Sequence, residues 1–187
     1  MAAFLLLMLS IAFAGPTFDV RLETTEGPVV VRVHREWSPQ GAERLHALVE
    51  SGYYDGVTFH RVIEGFMAQF GIAPDPERAS SWAPIPDDPV TQSNTRGRVT
   101  FATAGPNTRT TQLFINTADN ASLDRQGFAP VGEVVEGMDA IDKLFHKYGD
   151  SAPRGKGPSQ KEAKAKGDAY LAGWPKLDRI TRAQIEE

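Results

Sequence analysis

Phe59-His60-Arg61-Val62-Ile63-Glu64-Gly65-Phe66-Met67-Ala68-Gln69-Phe70-Gly71 is the stretch on which the fold turns. It reads as two short strands rich in Phe, Val and Ile, broken at Glu64-Gly65, and hence as a hairpin. A two-residue loop would set Arg61 opposite Ala68. A three-residue loop (Glu64, Gly65, Phe66) sets Ile63 opposite Met67 and Arg61 opposite Gln69, so that one sheet face carries a cation, an amide and a thioether. We take the second register, because it groups the side chains that are costly to keep among apolar neighbours. A guanidinium inside such a run must find acceptors or line a pocket. An isolated Arg in a strand would more simply snorkel to water from a sheet edge.

A second stretch weighs against that simpler reading. Gly97-Arg98-Val99-Thr100-Phe101-Ala102-Thr103-Ala104-Gly105-Pro106-Asn107 runs into Thr108-Arg109-Thr110-Thr111-Gln112-Leu113-Phe114-Ile115-Asn116. It is a strand, a Gly-Pro-Asn turn and another strand. Phe-His-Arg-x-Ile-x-Gly-Phe-Met-x-Gln-x-Gly and Ala-Gly-Pro-Asn-Thr-x-x-x-Gln-x-Phe-Ile together resemble two signature blocks of the cyclophilin family of peptidyl-prolyl isomerases. Leu123-Asp124 and Gly132-Glu133-Val134-Val135-Glu136-Gly137-Met138-Asp139 resemble a third. The resemblance runs from about Phe18 to Ile185.

Length and composition bound the rest. At 187 residues, 41% hydrophobic and 24% charged, the chain suits one domain with a single core. A net charge of -4 argues against nucleic acid as a partner. With no cysteine there is neither a disulfide nor a thiolate metal site. The histidines at 34, 46, 60 and 146 lack metal-ligand spacing, so neither metal nor cofactor is expected. Gly155-Lys156-Gly157 is too short for a phosphate loop and lies in a polar connection.

Residues 1–14 differ from the rest of the chain. Phe4 to Phe13 is an uncharged apolar run, short for a bilayer span, and Ala12-Phe13-Ala14 suits cleavage before Gly15. No Lys or Arg precedes it. We read a signal peptide at 1–14, with an uncleaved anchor as the lesser alternative, and a single domain over 15–187. Export to a periplasm, a secretory lumen or the exterior is the resulting expectation, with no stable membrane span and a monomer.

Taken in order, Phe18, Val20 and Leu22 alternate with charged residues, Gly27-Pro28 turns, and Val29 to Val33 pairs back. Ser38-Pro39 starts a helix with Leu45, Leu48 and Val49 on one face and Gly52 as its stop. Five prolines between Ile72 and Asn94 break regular structure and predict a long surface loop. A second helix is predicted from Met138, with Ile141, Leu144, Phe145 and Tyr148 at helical spacing and Gly149 as its end. Ser151 to Gly167 is polar without periodicity, and Leu177, Ile180 and Ile185 mark a closing strand. Many strands, two helices and no βαβ rhythm indicate a mainly β protein, a closed antiparallel barrel. The resemblance implies eight strands with a helix capping each end.

The resemblance also implies a reaction, rotation about X-Pro bonds of proline-containing polypeptides, and roles for matched residues. Arg61 matches the catalytic arginine, and Gln69 and Gln112 match residues that orient it and bind substrate backbone. Phe66, Met67, Phe114 and Leu123 match the apolar pocket for the proline ring, and Phe128 aligns with a His or aromatic position at its rim. Ala102 and Thr103 match the segment that contacts peptide main chain, where the family usually has Asn at the second position. His60 packs beside the site without acid-base work. Ser122 stands where animal relatives carry a Trp that binds the cyclosporin class of inhibitors, so weak sensitivity is expected. Two other classes compete: a proline-peptide binding or chaperone module without turnover, and a ligand-free structural barrel.

Overall fold

Alternating valines and leucines dictate the first hairpin. In this computed structural model, which describes residues 15–186, Thr17–Thr24 (β1) pairs with Gly27–His34 (β2). Val20 faces Val31 and Leu22 faces Val29, all buried, while the Asp19–Arg32 pair points outward with an ion pair of 2.8 Å. The signal-like segment at 1–14 lies outside the described residues.

Pro39–Glu50 (α1) comes next. Its buried face is Ala42, Leu45, Leu48 and Val49, and Gly52 ends it at φ 67. Arg61–Ile63 (β3) and Met67–Phe70 (β4) form the hairpin in the three-residue-loop register, with Arg61 opposite Gln69 and Ile63 opposite Met67. Arg98–Phe101 (β5), Leu113–Asn116 (β6), Pro130–Glu136 (β7) and Ile180–Glu186 (β8) complete one antiparallel sheet of order β3-β4-β6-β5-β7-β2-β1-β8.

The sheet curls through 214° into an open half-barrel. The expected continuous closure is not made by a ladder: β8 and the three-residue β3 are the two edge strands and do not pair with each other. Where the sheet edges approach, a single bridge joins Thr58 to Arg179, and Phe59 N–H donates to Asp178 C=O at 2.8 Å. The main core fills the concave side with Val20, Val31, Leu48, Phe70, Leu113 and Ile115 among its members.

Three elements depart from expectation. The second helix (α3 in chain order) covers only Met138–Lys143, because Leu144 is extended (ψ 137) and the Phe145 N–H is taken by the Asp178 carboxylate at 2.7 Å. The Pro-rich loop contains a short helix, Pro76–Ser80 (α2), capped by the Asp75 carboxylate on Glu77 N–H. The polar segment after Ser151 holds Gln160–Lys166 (α4) and Asp168–Leu171 (α5). Ser159 caps α4 by accepting from Glu162 N–H at 3.4 Å, a Ser-x-x-Glu start that apolar periodicity alone overlooks. Against the two capping helices expected, α1 packs on β2, β7 and β8, and the short α3 packs on β2.

Candidate active site

The period of two along β4 and β6 sorts their side chains between two environments. Ala68, Phe70, Leu113 and Ile115 enter the main core, whereas Met67 and Phe114 join Leu123 in a separate apolar cluster. Ile63, Phe66, Ala102 and Phe128 pack around that cluster, and the Phe114 and Phe128 rings meet edge-on at 5.8 Å. Leu123 arrives on a 3-10 turn, Ala121–Gln126, closed by Gly127 at φ 86. Asp124 ties this turn down, accepting from Ser93 Oγ at 2.6 Å and from Asn94 N and Nδ2 at 2.9 and 2.8 Å. Burial raises the Asp124 pKa, but those donors outweigh it and hold the carboxyl below its ordinary value. Asn94 also donates to Phe128 C=O at 2.8 Å, so one buried amide fixes both sides of the cluster.

Beside this socket lies a polar chain. Arg61 Nη1 donates to Gln69 Oε1 at 3.1 Å, and Gln69 Nε2 donates to Gln112 Oε1 at 2.9 Å. Gln69 is 5% exposed, so its amide has little access to water and both ends are used within the chain. Gln112 C=O accepts from Ala102 N–H at 2.9 Å, which continues the β5–β6 pairing by one step. Beyond it the Thr103 hydroxyl is used in the next turn, bonded to Thr108 Oγ1 at 2.8 Å and to Gly105, while the Thr103 main-chain N–H and C=O have no partner among the described residues. Gly71 makes the approach of β4 to Thr111 feasible: at φ +108, with a Cβ position that would collide with Thr111 C=O, it admits no side chain.

All ten residues expected at the site line one cavity of about 370 Å³: Arg61, Phe66, Met67, Gln69, Ala102, Thr103, Gln112, Phe114, Leu123 and Phe128. Gln160 and Lys164 of α4 join that wall, and the segment before α4 brings the Asp150 carboxylate onto Arg61. No sequence pattern marks Asp150, and α4 is marked only by the Ser159-x-x-Glu162 start. His60 is 1% exposed, and its ring nitrogens make no well-aligned hydrogen bond, although the Thr58 backbone and the Gln112 side chain lie close enough to favour its protonated form slightly. Burial and the adjacent Arg61 charge pull its pKa from 6.5 to about 4, so it is neutral at pH 7. Ser122 is exposed on the turn beside Leu123.

The arrangement combines a concave apolar socket with a cation at its edge. Among the described residues, no helix is long and apolar enough to cross a membrane. The family model for cyclophilin type peptidyl-prolyl cis-trans isomerase/CLD matches residues 19–163. A peptidyl-prolyl cis-trans isomerase of Streptomyces antibioticus is 38% identical over 135 residues, covering 67% of this chain and 81% of that protein. Peptidyl-prolyl cis-trans isomerase A of Dickeya dadantii is 36% identical over 141 residues, covering 71% and 74%. The crystal structure of a cyclophilin type peptidyl-prolyl cis-trans isomerase from Cryptosporidium parvum superposes with a TM-score of 0.66 over 91% of this chain and 98% of that one. At 22% identity it speaks for the fold alone. The chain belongs to the cyclophilin-type peptidyl-prolyl cis-trans isomerases.

Proposed function

We propose that this peptidyl-prolyl cis-trans isomerase works without a covalent step, by aiming the Arg61 guanidinium at the nitrogen of a proline held in the Met67–Phe114–Leu123 socket. Amide resonance sets the barrier to X-Pro rotation at roughly 18–20 kcal/mol. As the bond twists, resonance is lost and the prolyl nitrogen regains a lone pair that accepts a hydrogen bond. A donor placed there binds the twisted amide better than the planar one, which is the condition for acceleration. Gln69 orients the donor, and Gln112 with the free Thr103 main chain holds the peptide on either side. The neutral, buried His60 fits a reaction that transfers no proton.

The observation that carries this reading is that guanidinium and apolar socket open into the same cavity of about 370 Å³. That open volume also counts against a ligand-free structural barrel. The test is a coupled isomerisation assay on a short X-Pro peptide. Arg61→Ala is expected to lose about 10²–10³ in rate, the usual cost of a removed transition-state donor. Arg61→Lys is expected to recover little, since an ammonium lacks the planar fork. Equal rates in wild type and Arg61→Ala, with peptide binding retained, would instead establish a binding module.

The substrates proposed are proline-containing segments of folding polypeptides, met by a monomer. Export is proposed from the sequence of residues 4–14 alone, and the N-terminal sequence of the mature protein tests it.

A further inference from the structure

The polar connection between α3 and α4 is built around one carboxylate. Asp150 Oδ1 accepts from Arg61 Nε at 2.9 Å, and Oδ2 accepts from Arg61 Nη2 at 3.1 Å, a bidentate fork. The same carboxylate accepts from its neighbour's backbone, Ser151 N–H, at 2.8 Å and pairs with Arg154 Nε at 3.1 Å. Its side chain is 11% exposed against 77% for Arg154, so the bond to Arg61 is the sheltered one. Arg61 lowers the Asp150 pKa, more than offsetting burial, which keeps the carboxylate charged through the neutral range.

The loop is shaped to hold that group in place. Gly157 N–H donates to Asp150 C=O at 2.8 Å, and Lys156 N–H donates to Tyr148 C=O at 2.9 Å. A Cβ at Gly155 would run into the Asp150 carbonyl, and one at Gly157 would lie 2.7 Å from Gly149 C=O. Trp174 Nε1 pins the loop from outside by donating to Lys156 C=O at 2.7 Å. The Gly-Lys-Gly sequence, without a role as a phosphate loop, is explained by this packing.

A donor count shows what the fork does. A guanidinium has five N–H groups. Two go to Asp150 and one to Gln69, which leaves one on Nη1 and one on Nη2, in a plane fixed from two sides. We infer that Asp150 is a positioning residue for catalysis: it holds the Arg61 guanidinium so that its two remaining N–H groups face the bound proline. The inference rests on the assignment of Arg61 to the twisted amide. A carboxylate this close also weakens the field that Arg61 projects, an effect opposite in sign. Orientation outweighs it, because the free side chain would spread over many rotamers while a hydrogen bond to the prolyl nitrogen needs one.

The experiment measures kcat and KM on an X-Pro peptide for wild type, Asp150→Ala, Asp150→Asn, Asp150→Glu and Arg61→Ala, with the Arg61 Nε–H followed by ¹H–¹⁵N NMR in the four proteins that keep Arg61. Asp150→Ala is expected to lose about tenfold in kcat with KM within about twofold, and its Nε–H signal loses protection from exchange. Asp150→Asn falls between, and Asp150→Glu regains part of both activity and protection. If Asp150→Ala does not fold, the Asn and Glu variants carry the same comparison. Wild-type kcat in a folded Asp150→Ala or Asp150→Asn, with Arg61→Ala impaired, would overturn the inference and leave the isomerase mechanism intact. Loss of kcat without any change at the Nε–H would overturn it as well. If Arg61→Ala matches wild type, the mechanism itself falls, while the Nε–H signal still reports whether the fork forms.

Discussion

The Ser38 hydroxyl donates to the Asp88 carboxylate at 2.5 Å, joining the first residue before α1 to a loop 50 positions away. The same carboxylate accepts from Gly41 and Gln40 N–H at 3.0 and 3.2 Å, doing for the helix N-terminus what Ser38 was expected to do itself. Arg109, 2% exposed, completes the group: its Nη2 donates to Asp88 Oδ2 at 3.0 Å and its Nη1 to Ser38 Oγ at 3.2 Å. Asp88→Ala takes the sheltered carboxylate from the buried Arg109 guanidinium, leaving it Asp87 at 3.4 Å and Pro86 C=O, and is expected to cost about 3 kcal/mol, the low end for a broken buried pair. Ser38→Ala is expected to cost about 1 kcal/mol. Urea unfolding of the two variants checks the ratio, and activity per folded molecule is expected to stay near wild type in both.

Acid stability has two separable phases. The folded His60 binds its proton at about 4 against 6.5 when unfolded, so between those values the unfolded chain holds the extra proton. Stability therefore falls as pH drops from 6.5 to about 4, by about 3 kcal/mol in total, and this loss is complete below that. Asp88, Asp124 and Asp150 are depressed instead, so their contributions persist above 3.8 and are lost only at lower pH. Chemical denaturation of wild type and His60→Leu across pH 7 to 4 should show a slope in the first that is much flatter in the second. Equal slopes would remove His60 as the cause.

Gly71 links backbone geometry to the site. Its φ of +108 and the closeness of Thr111 C=O leave no room for a methyl group. Gly71→Ala is expected to destabilise the protein by at least about 1–3 kcal/mol. Because the displaced strand carries Gln112, kcat/KM of the remaining folded protein is expected to fall too. Thermal unfolding together with the isomerisation assay tests both.

Ser122, exposed on the turn just before Leu123, supplies no aromatic ring at that position. Weak binding of the cyclosporin class is expected, and Ser122→Trp is expected to tighten it about tenfold or more by adding a large apolar contact. Calorimetric titration of wild type and variant decides it. A tight wild-type complex would show that the indole is dispensable here.

The sequence was most legible where interactions are local. The hairpin register follows from three residues between two strands, and the socket from alternation on β4 and β6. Distance along the chain hid the rest. Asp150 reaches Arg61 across 89 positions and Asp88 reaches Ser38 across 50, and neither carboxylate sits in a pattern that announces its partner. Asp178 stops α3 from 33 positions away, so Leu144 is buried without a helix while Phe145 and Tyr148 stay half-buried. The missed α4 was readable after all from Ser159 and Glu162, since its start is written in capping residues and not in a hydrophobic stripe.

Met67 and Ala68 are neighbours that serve opposite sides of one strand, the first lining the socket and the second buried in the main core. Inserting a single amino acid into Met67–Phe70 would swap those sides along the strand, sending groove residues inward and packing residues out. Evolution can thus retailor the groove by substitution while leaving the body untouched. It has no such freedom to lengthen that strand by one, because folding and turnover would fail in the same event.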